Sequence, residues 1–352
     1  MERRRERQQP RRLSLVRDAL TGFRPRLLLR NPHLQSILPS VLLRPAGRRR
    51  AAPLLAASRE RILVCADGVR LQAFHAAPPG ARDEIAILLH GWEGSAEAPY
   101  VLGLGQALFD QGIEVVRLNL RDHGDTYHLN RGIFHSCLLD EVIEAVEQLL
   151  LERPCARRWL AGFSLGGNFQ LRVAASPRAP ALGLTGVFAV SPVLDPAATL
   201  RALERAPALY RRYFVRKWSR SLLRKQRAWP DTHDFRELVR SADLRRMTAD
   251  LVAEHTSYAD LEAYLAGYAI TGERLATLAA PAVILTAEDD PIIPADDLGR
   301  LARHPLLEVV RTRHGGHTGF LERLGGPSWA TTFVLARMDE LRGASAAESR
   351  SG

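Results

Sequence analysis

The chain has 352 residues, 46% of them apolar and 25% charged, with a formal net charge of +10. That balance can bury a sizeable core, as one enlarged domain or a domain plus an insertion, and three cysteines (65, 137 and 155) without paired or metal-type spacing exclude a disulfide framework. The charge is local: fourteen arginines against Glu2, Glu6 and Asp18 over residues 1–50 give +11, so the rest of the chain sums to −1, which excludes a body-wide nucleic-acid surface. Residues 1–23 read as a disordered basic arm, a solvated or membrane-surface tail rather than a specific nucleic-acid reader. Its apolar stretches at 13–16 and 27–29 are cut by Arg17, Asp18 and Arg30, too short for a secretion signal, and no apolar run approaches a membrane span. A cytoplasmic protein is expected, with peripheral membrane contact through the arm left open.

Prolines 25, 32, 39, 45 and 53 punctuate the next stretch. Residues 61–65 and 71–75, split by Asp67-Gly68, predict a hairpin. Strand and helix patterns then alternate: strand 85–89, helix 100–111, strand 114–118, helix 138–151, strand 158–161, helix 167–174, strand 186–190. Nearly continuous apolar strands between helices predict an α/β fold, a mostly parallel sheet covered on both faces. From 191 to about 280 only helical patterns occur, at 197–205, 208–227, 235–244 and 260–268. A connection that long, where a few residues suffice, predicts a helical cap over the carboxyl ends of the strands, where open α/β sheets bind ligands. Strands at 282–286 and 307–312 resume the sheet, and a helix at 329–341 closes it. The expected divisions are an arm (1–23), a first core part (24–190), a cap (191–280), a second core part (281–342) and a disordered tail (343–352).

Gly162-Phe163-Ser164-Leu165-Gly166 sits between a predicted strand and a predicted helix. Alone the pattern is weak, with about 0.1 chance matches expected in such a chain. In that context it reads as a nucleophile elbow, where glycines let a strained serine stand above the sheet edge. A serine nucleophile needs a base, a carboxylate to orient that base and donors for the oxyanion. The run Leu88-Leu89-His90-Gly91-Trp92-Glu93-Gly94-Ser95 follows a central strand, and the N–H groups of Trp92 and Leu165 are the expected oxyanion donors. His90 and Gly91 shape that loop. After a late strand, Glu288, Asp289 and Asp290 compete for the acid role. Asp290 is chosen because Pro291 holds it extended, with Asp289 as the alternative. After the last strand, His317 is chosen as base over His314. The order Ser164, Asp290, His317 is that of the α/β-hydrolases.

Asp122, His123, Asp125, His128 and His135 crowd one loop, yet no helical or hairpin spacing converges them, so a polar loop is expected rather than a metal site. His135 and Asp140 are expected to brace the elbow. No metal or organic cofactor is called for. In the cap, Arg212, Arg216 and Arg220 recur every four residues, joined by Lys217, Arg224 and Lys225, while Tyr210, Phe214, Trp218 and Leu222 share helical spacing. This predicts an amphipathic basic helix packed on the body, with a lipid-interface helix as the alternative.

Together these motifs resemble the YheT-like branch of the α/β-hydrolases, a family that includes mammalian abhydrolase-domain acylglycerol hydrolases. The likeness runs over residues 24–342, through Asn31-Pro32-His33-Leu34-Gln35-Ser36, His90 to Ser95, Phe134-His135-Ser136, Gly162 to Asn168, Asp289-Asp290-Pro291 and Gly315-Gly316-His317. It implies the α/β-hydrolase fold with a cap and a serine hydrolase of carboxylic esters, with Ser164, Asp290 and His317 as its triad. Ser at the elbow argues against the dehalogenase and epoxide-hydrolase variants, which by the resemblance would carry Asp there, while thioesterase and amidase activities stay open. The expected partner is a small-molecule ester, of short- to medium-chain acyl or acylglycerol type. The competing reading is a non-catalytic lipid- or membrane-binding protein that uses the same pocket and the basic arm.

Overall fold

The computed structural model describes residues 16–18, 22–41 and 44–351, so most of the predicted arm lies outside the described residues. Within it, Val16–Asp18 forms a short edge strand, β1. The proline-punctuated stretch, for which no elements were expected, folds as a 3₁₀ turn at Leu27–Arg30 and three helices, Pro32–Val41 (α1), Arg44–Arg50 (α2) and Ala52–Ala57 (α3). Pro32, Pro45 and Pro53 each fall in a first helical turn, where a missing N–H leaves no bond unmade and a fixed φ suits the helix. Part of the basic excess therefore belongs to the folded body. Arg48 pairs with Glu97, and Arg50 donates to the carbonyl of Gly325.

The hairpin comprises β2 (Ser58–Val64) and β3 (Arg70–Ala76), antiparallel with Ser58 opposite Ala76. The alternation follows as β4 (Glu84–Leu89), α4 (Pro99–Asp110), β5 (Glu114–Leu118), α5 (Leu139–Glu152), β6 (Arg157–Phe163), α6 (Leu165–Ala174), α7 (Ala179–Leu182) and β7 (Gly186–Val190). After the cap come β8 (Ala282–Ala287) and β9 (Leu307–Thr312). The strand order is β1-β9-β8-β7-β6-β4-β5-β3-β2. Neighbours from β1 to β5 in that order run parallel, and β3 and β2 extend the sheet antiparallel. Every residue of β4, β5, β7 and β8 is buried, as a sheet covered on both faces requires. Val146, Leu149 and Phe169 pack one face, and Leu102, Leu108 and Met338 the other.

Five helices fill the span between β7 and β8: α8 (Pro196–Arg205), α9 (Ala208–Ala228), α10 (Arg236–Arg240), α11 (Leu244–His255) and α12 (Leu261–Gly267). The helix predicted at 235–244 stops at Arg240, and a twelve-residue helix not predicted follows it. The cause is local. Ala242 takes a left-handed φ of 49°, and the Asp243 carboxylate caps α11 by accepting from the Arg246 N–H at 2.8 Å. The last helix, α13 (Trp329–Ser351), runs through most of the tail expected to be disordered, whose alanines favour helix. Among the described residues no helix is long and apolar enough to cross a membrane.

The basic helix α9 is joined to the sheet domain by one of its own cations. Lys225 falls in phase with Trp218 and Leu222, so it is 1% exposed instead of solvated with the other cations. Its ammonium donates to Asp122 Oδ1 (2.7 Å) and to the carbonyls of Asn130 (2.6 Å) and Gly132 (2.9 Å). Removing one partner of a buried pair leaves the other uncompensated, at about 3–5 kcal/mol. Lys225→Met is therefore expected to lower the unfolding free energy by about that amount in urea titration, and adding Asp122→Asn to restore much of it. An unchanged midpoint for Lys225→Met would show that the pair does not hold the cap.

Candidate active site

Ser164 ends β6 and begins α6 with φ 52° and ψ −120°, a backbone conformation that side chains rarely adopt. Its neighbours make the turn tight. A Cβ at Gly162 would lie 2.3 Å from the Gly166 carbonyl oxygen, and one at Gly166 would lie 2.4 Å from the carbonyl oxygens of Leu89 and His90. The Ser164 N–H donates to the Val190 carbonyl at 2.9 Å, tying the turn to β7.

His317, in the loop after β9, meets Ser164 Oγ through Nε2 at 3.0 Å and Asp290 Oδ2 through Nδ1 at 2.9 Å. Asp290, after β8, has a fully buried side chain, and its Oδ1 accepts from the N–H groups of Ile292 (2.8 Å) and Ile293 (3.0 Å). Those bonds fix the carboxylate, leaving Oδ2 for the imidazole. Asp289, the alternative acid, points elsewhere. It accepts from the Gly316 N–H at 2.9 Å and lies 3.4 Å from His314 Nδ1. It anchors the loop that carries His317.

That loop has a second anchor with no counterpart among the expectations drawn from residue chemistry. The His317 N–H donates to Ser36 Oγ at 2.8 Å, and Ser36 donates to the Pro32 carbonyl at 2.7 Å. Gln35, fully buried, donates to the carbonyls of Leu29 (2.6 Å) and Leu321 (2.9 Å) and accepts from the Leu321 N–H at 2.7 Å. The 31–36 motif is visible in the sequence, but nothing local to it says that it packs against a loop almost three hundred residues away.

The His90 to Ser95 loop lies against the elbow, with Gly91 next to the Ser164 side chain. Leu165 opens α6, where first-turn N–H groups have no intrahelical acceptor. The Trp92 N–H has no acceptor among the described residues. Both donors are therefore available for an oxyanion. His90 is fully buried; its Nδ1 donates to the Gly91 carbonyl (2.8 Å), its Nε2 accepts from the Leu120 N–H (3.2 Å), and burial holds it far below the usual imidazole range. His123 accepts from the Glu93 N–H at 3.1 Å and is pushed down to about 4 by burial. Both are neutral loop supports. Among the described residues no cluster of His, Cys, Asp and Glu could hold a metal ion.

The expected braces are corrected. Asp140 is exposed in the first turn of α5, because the buried stripe of that helix takes Glu141, Val142 and Val146 instead. Glu141 pairs with Arg121. His135 lines the cavity and sets its ring against Tyr258 and Tyr264 of the cap. The elbow helix is held by Asn168, which donates to the carbonyls of Val193 (2.9 Å) and Tyr268 (2.8 Å), and by Arg172, which donates to the Ser136 carbonyl at 2.9 Å.

Ser164 and His317 open into a cavity of about 1090 Å³ under the cap. Its lining has an apolar part, with Leu200, Leu203, Leu251, Leu265 and Ile293, and a part formed by α9. Trp92 stacks on Phe214 (ring centroids 5.8 Å apart, planes at 11°) and meets Trp218 edge-on, so the cap rests on the loop that follows β4.

Residues 86–324 match the model of the alpha/beta hydrolase family. The chain belongs to the α/β-hydrolase family. It is similar to YheT of Escherichia coli (strain K12), a protein named as an esterase, at 28% identity over 273 residues, covering 71% of this chain and 77% of YheT. The Caenorhabditis elegans protein abhd-3.2 is 26% identical over 258 residues, covering 70% and 67%. The chain is thus a YheT-like α/β-hydrolase. Two solved structures share the fold: the Pyrococcus furiosus esterase Pf2001 (TM-score 0.52, 15% identity, 81% of this chain and 88% of that one) and a membrane phospholipase A described as a bacterial virulence factor (TM-score 0.52, 17% identity, 90% and 96%).

The two aspartates separate by their contacts. Asp290→Asn is expected to slow labelling of Ser164 by a fluorophosphonate by about 10³–10⁴-fold, because the imidazole loses its orienting charge. Asp289→Asn, which keeps an acceptor for Gly316, is expected to slow it less than about 10-fold. The reverse ranking would move the acid role to Asp289.

Proposed function

We propose that this esterase-type hydrolase cleaves carboxylic esters of short- to medium-chain acyl or acylglycerol type by way of an acyl-enzyme on Ser164. The observation that carries the reading is the unbroken hydrogen-bonded series Ser164 Oγ, His317 Nε2, His317 Nδ1 and Asp290 Oδ2, at 3.0 Å and 2.9 Å, mounted on a strained elbow. His317 takes the Ser164 proton as Oγ attacks the carbonyl carbon, and Asp290 holds the imidazole in the required tautomer and offsets its charge. The N–H groups of Trp92 and Leu165 receive the oxyanion, where fixed donors are worth most. His317 returns the proton to the departing alcohol, and water, activated by the same imidazole, releases the acid and restores Ser164. YheT carries the name of an esterase, which supports ester chemistry, and the apolar side of the cavity supports an acyl chain.

Peripheral membrane contact is part of the same proposal. Leu27 and Leu28 are 77% and 79% exposed, and α1 meets the basic helix α9 where His33 Nδ1 lies 3.1 Å from the Tyr210 hydroxyl. A lipid surface could meet both elements at once.

Turnover of p-nitrophenyl esters from acetyl to palmitoyl checks the reading. The wild type is expected to hydrolyse them with an optimum below palmitoyl, and Ser164→Ala to lose on the order of 10⁴–10⁶-fold in kcat. Phosphonate labelling is expected at Ser164 alone. A folded wild type that neither turns over esters nor takes the label would favour a non-catalytic lipid-binding protein.

A further inference from the structure

The ester-hydrolase reading leaves the cations of α9 unused. Arg216, Lys217, Arg220 and Arg224 fall on one face of the helix, and all four line the cavity that contains Ser164 and His317. Among the described residues, the first three have no carboxylate within ion-pair distance, and Lys217 reaches only the hydroxyl of Tyr213 at 3.4 Å. Arg224 lies 3.8 Å from Asp125, whose side chain is 98% exposed, and sets its guanidinium 5.9 Å from the centroid of the Tyr127 ring. Two further carboxylates that bond residues of this helix are already engaged. Asp122 is taken by Lys225, and Glu93 accepts a hydrogen bond from Ser221 at 2.6 Å, with burial pushing it up to about 7. Glu93, Glu97 and Asp125 also line the cavity, but Glu97 pairs with Arg48 and Glu93 is bonded to Ser221, so the four cations leave a surplus of positive charge on the cavity. Such an arrangement concentrates anions.

The helix that carries these cations cannot drift away from the site. Lys225 ties it to the body, and Phe214 and Trp218 clasp Trp92 beside the elbow. Leu200, Leu203, Leu251 and Leu265 also line the cavity and offer it an apolar wall. We propose that α9 is the specificity element of this hydrolase, and that it selects esters whose alcohol portion carries an anionic group, a phosphate or a carboxylate, while the acyl chain lies on the apolar wall. Arginine suits such a group because its planar fork can take two oxygens at once. The proposal rests on the ester-hydrolase reading for the bond that breaks, but not for the ligand that binds.

Hexanoylglycerol and hexanoylglycerol phosphate share one acyl ester and differ by the phosphate, so they form the test pair. Calorimetric titration of Ser164→Ala protein measures binding without turnover. The phosphate ester is expected to bind about 10–10³-fold tighter at low salt, with the advantage shrinking at high salt. In wild type the ratio of kcat/KM values for the pair is expected to favour the phosphate ester likewise. Arg216→Gln, Lys217→Gln and Arg220→Gln together should abolish the preference, whereas Arg212→Gln with Arg227→Gln, on the same helix but off the cavity, should keep it. Repeating the comparison with both esters displayed in phosphatidylcholine vesicles identifies the source: preference in free solution marks a soluble substrate, and preference only on vesicles marks a lipid headgroup. Equal binding in both settings, or a preference that survives the triple substitution, overturns the proposal. Preference without turnover of either ester by wild type would sink the hydrolase reading and leave the anion site standing.

Discussion

The turn at Ser164 sets the terms for the rest of the molecule. A serine held at φ 52° and ψ −120° stores strain on the order of 1–3 kcal/mol, which persists only where the surroundings permit no alternative. Here they permit none, because the flanking glycines press against each other and against the carbonyls that end β4, and the Ser164 N–H is committed to β7. The result is a hydroxyl raised above the carboxyl edge of the sheet at the point where the chain order reverses between β4 and β6. Parallel strands then deliver everything else to that edge, since β4, β8 and β9 all end beside it.

Placing an imidazole there needs more than a loop of suitable length. The His317 segment is stitched on one side to Asp289 and on the other to Ser36 and Gln35 of α1, so a segment near the amino terminus acts as the floor of a loop near the carboxyl terminus. Asp290 is held by two backbone N–H groups before it meets the ring. With each partner already fixed, bringing the three side chains together costs little further conformational freedom.

The cap is coupled to the same centre. Through Phe214 and Trp218 against Trp92, α9 bears on the loop that follows β4, so movement of the cap and the geometry of that loop are mechanically linked. Mounting the cationic face of α9 on this support gives its charges a defined position relative to Ser164.

The alternation of apolar strands and amphipathic helices was legible because it reports local periodicity, and the elbow was legible because its glycines answer a local steric demand. Ser164, Asp290 and His317 could be picked out for the same reason, since each stands just after a strand. Misread elements failed on local detail: Asp243 caps a new helix where the predicted one was still running, and first-turn prolines sit in helices instead of breaking them. Other features lay beyond sequence altogether. That Lys225 turns inward while Arg220 and Arg224 face the cavity, that Glu141 is buried while Asp140 is not, and that Asp289 anchors a loop while Asp290 meets the imidazole depend on how distant segments approach one another. The sequence by itself determined the strands, the elbow and the order of the reactive groups, because these are set within a few residues. Only the tertiary structure decided partners and directions, because a side chain's neighbours across the fold are set by packing of segments hundreds of residues apart.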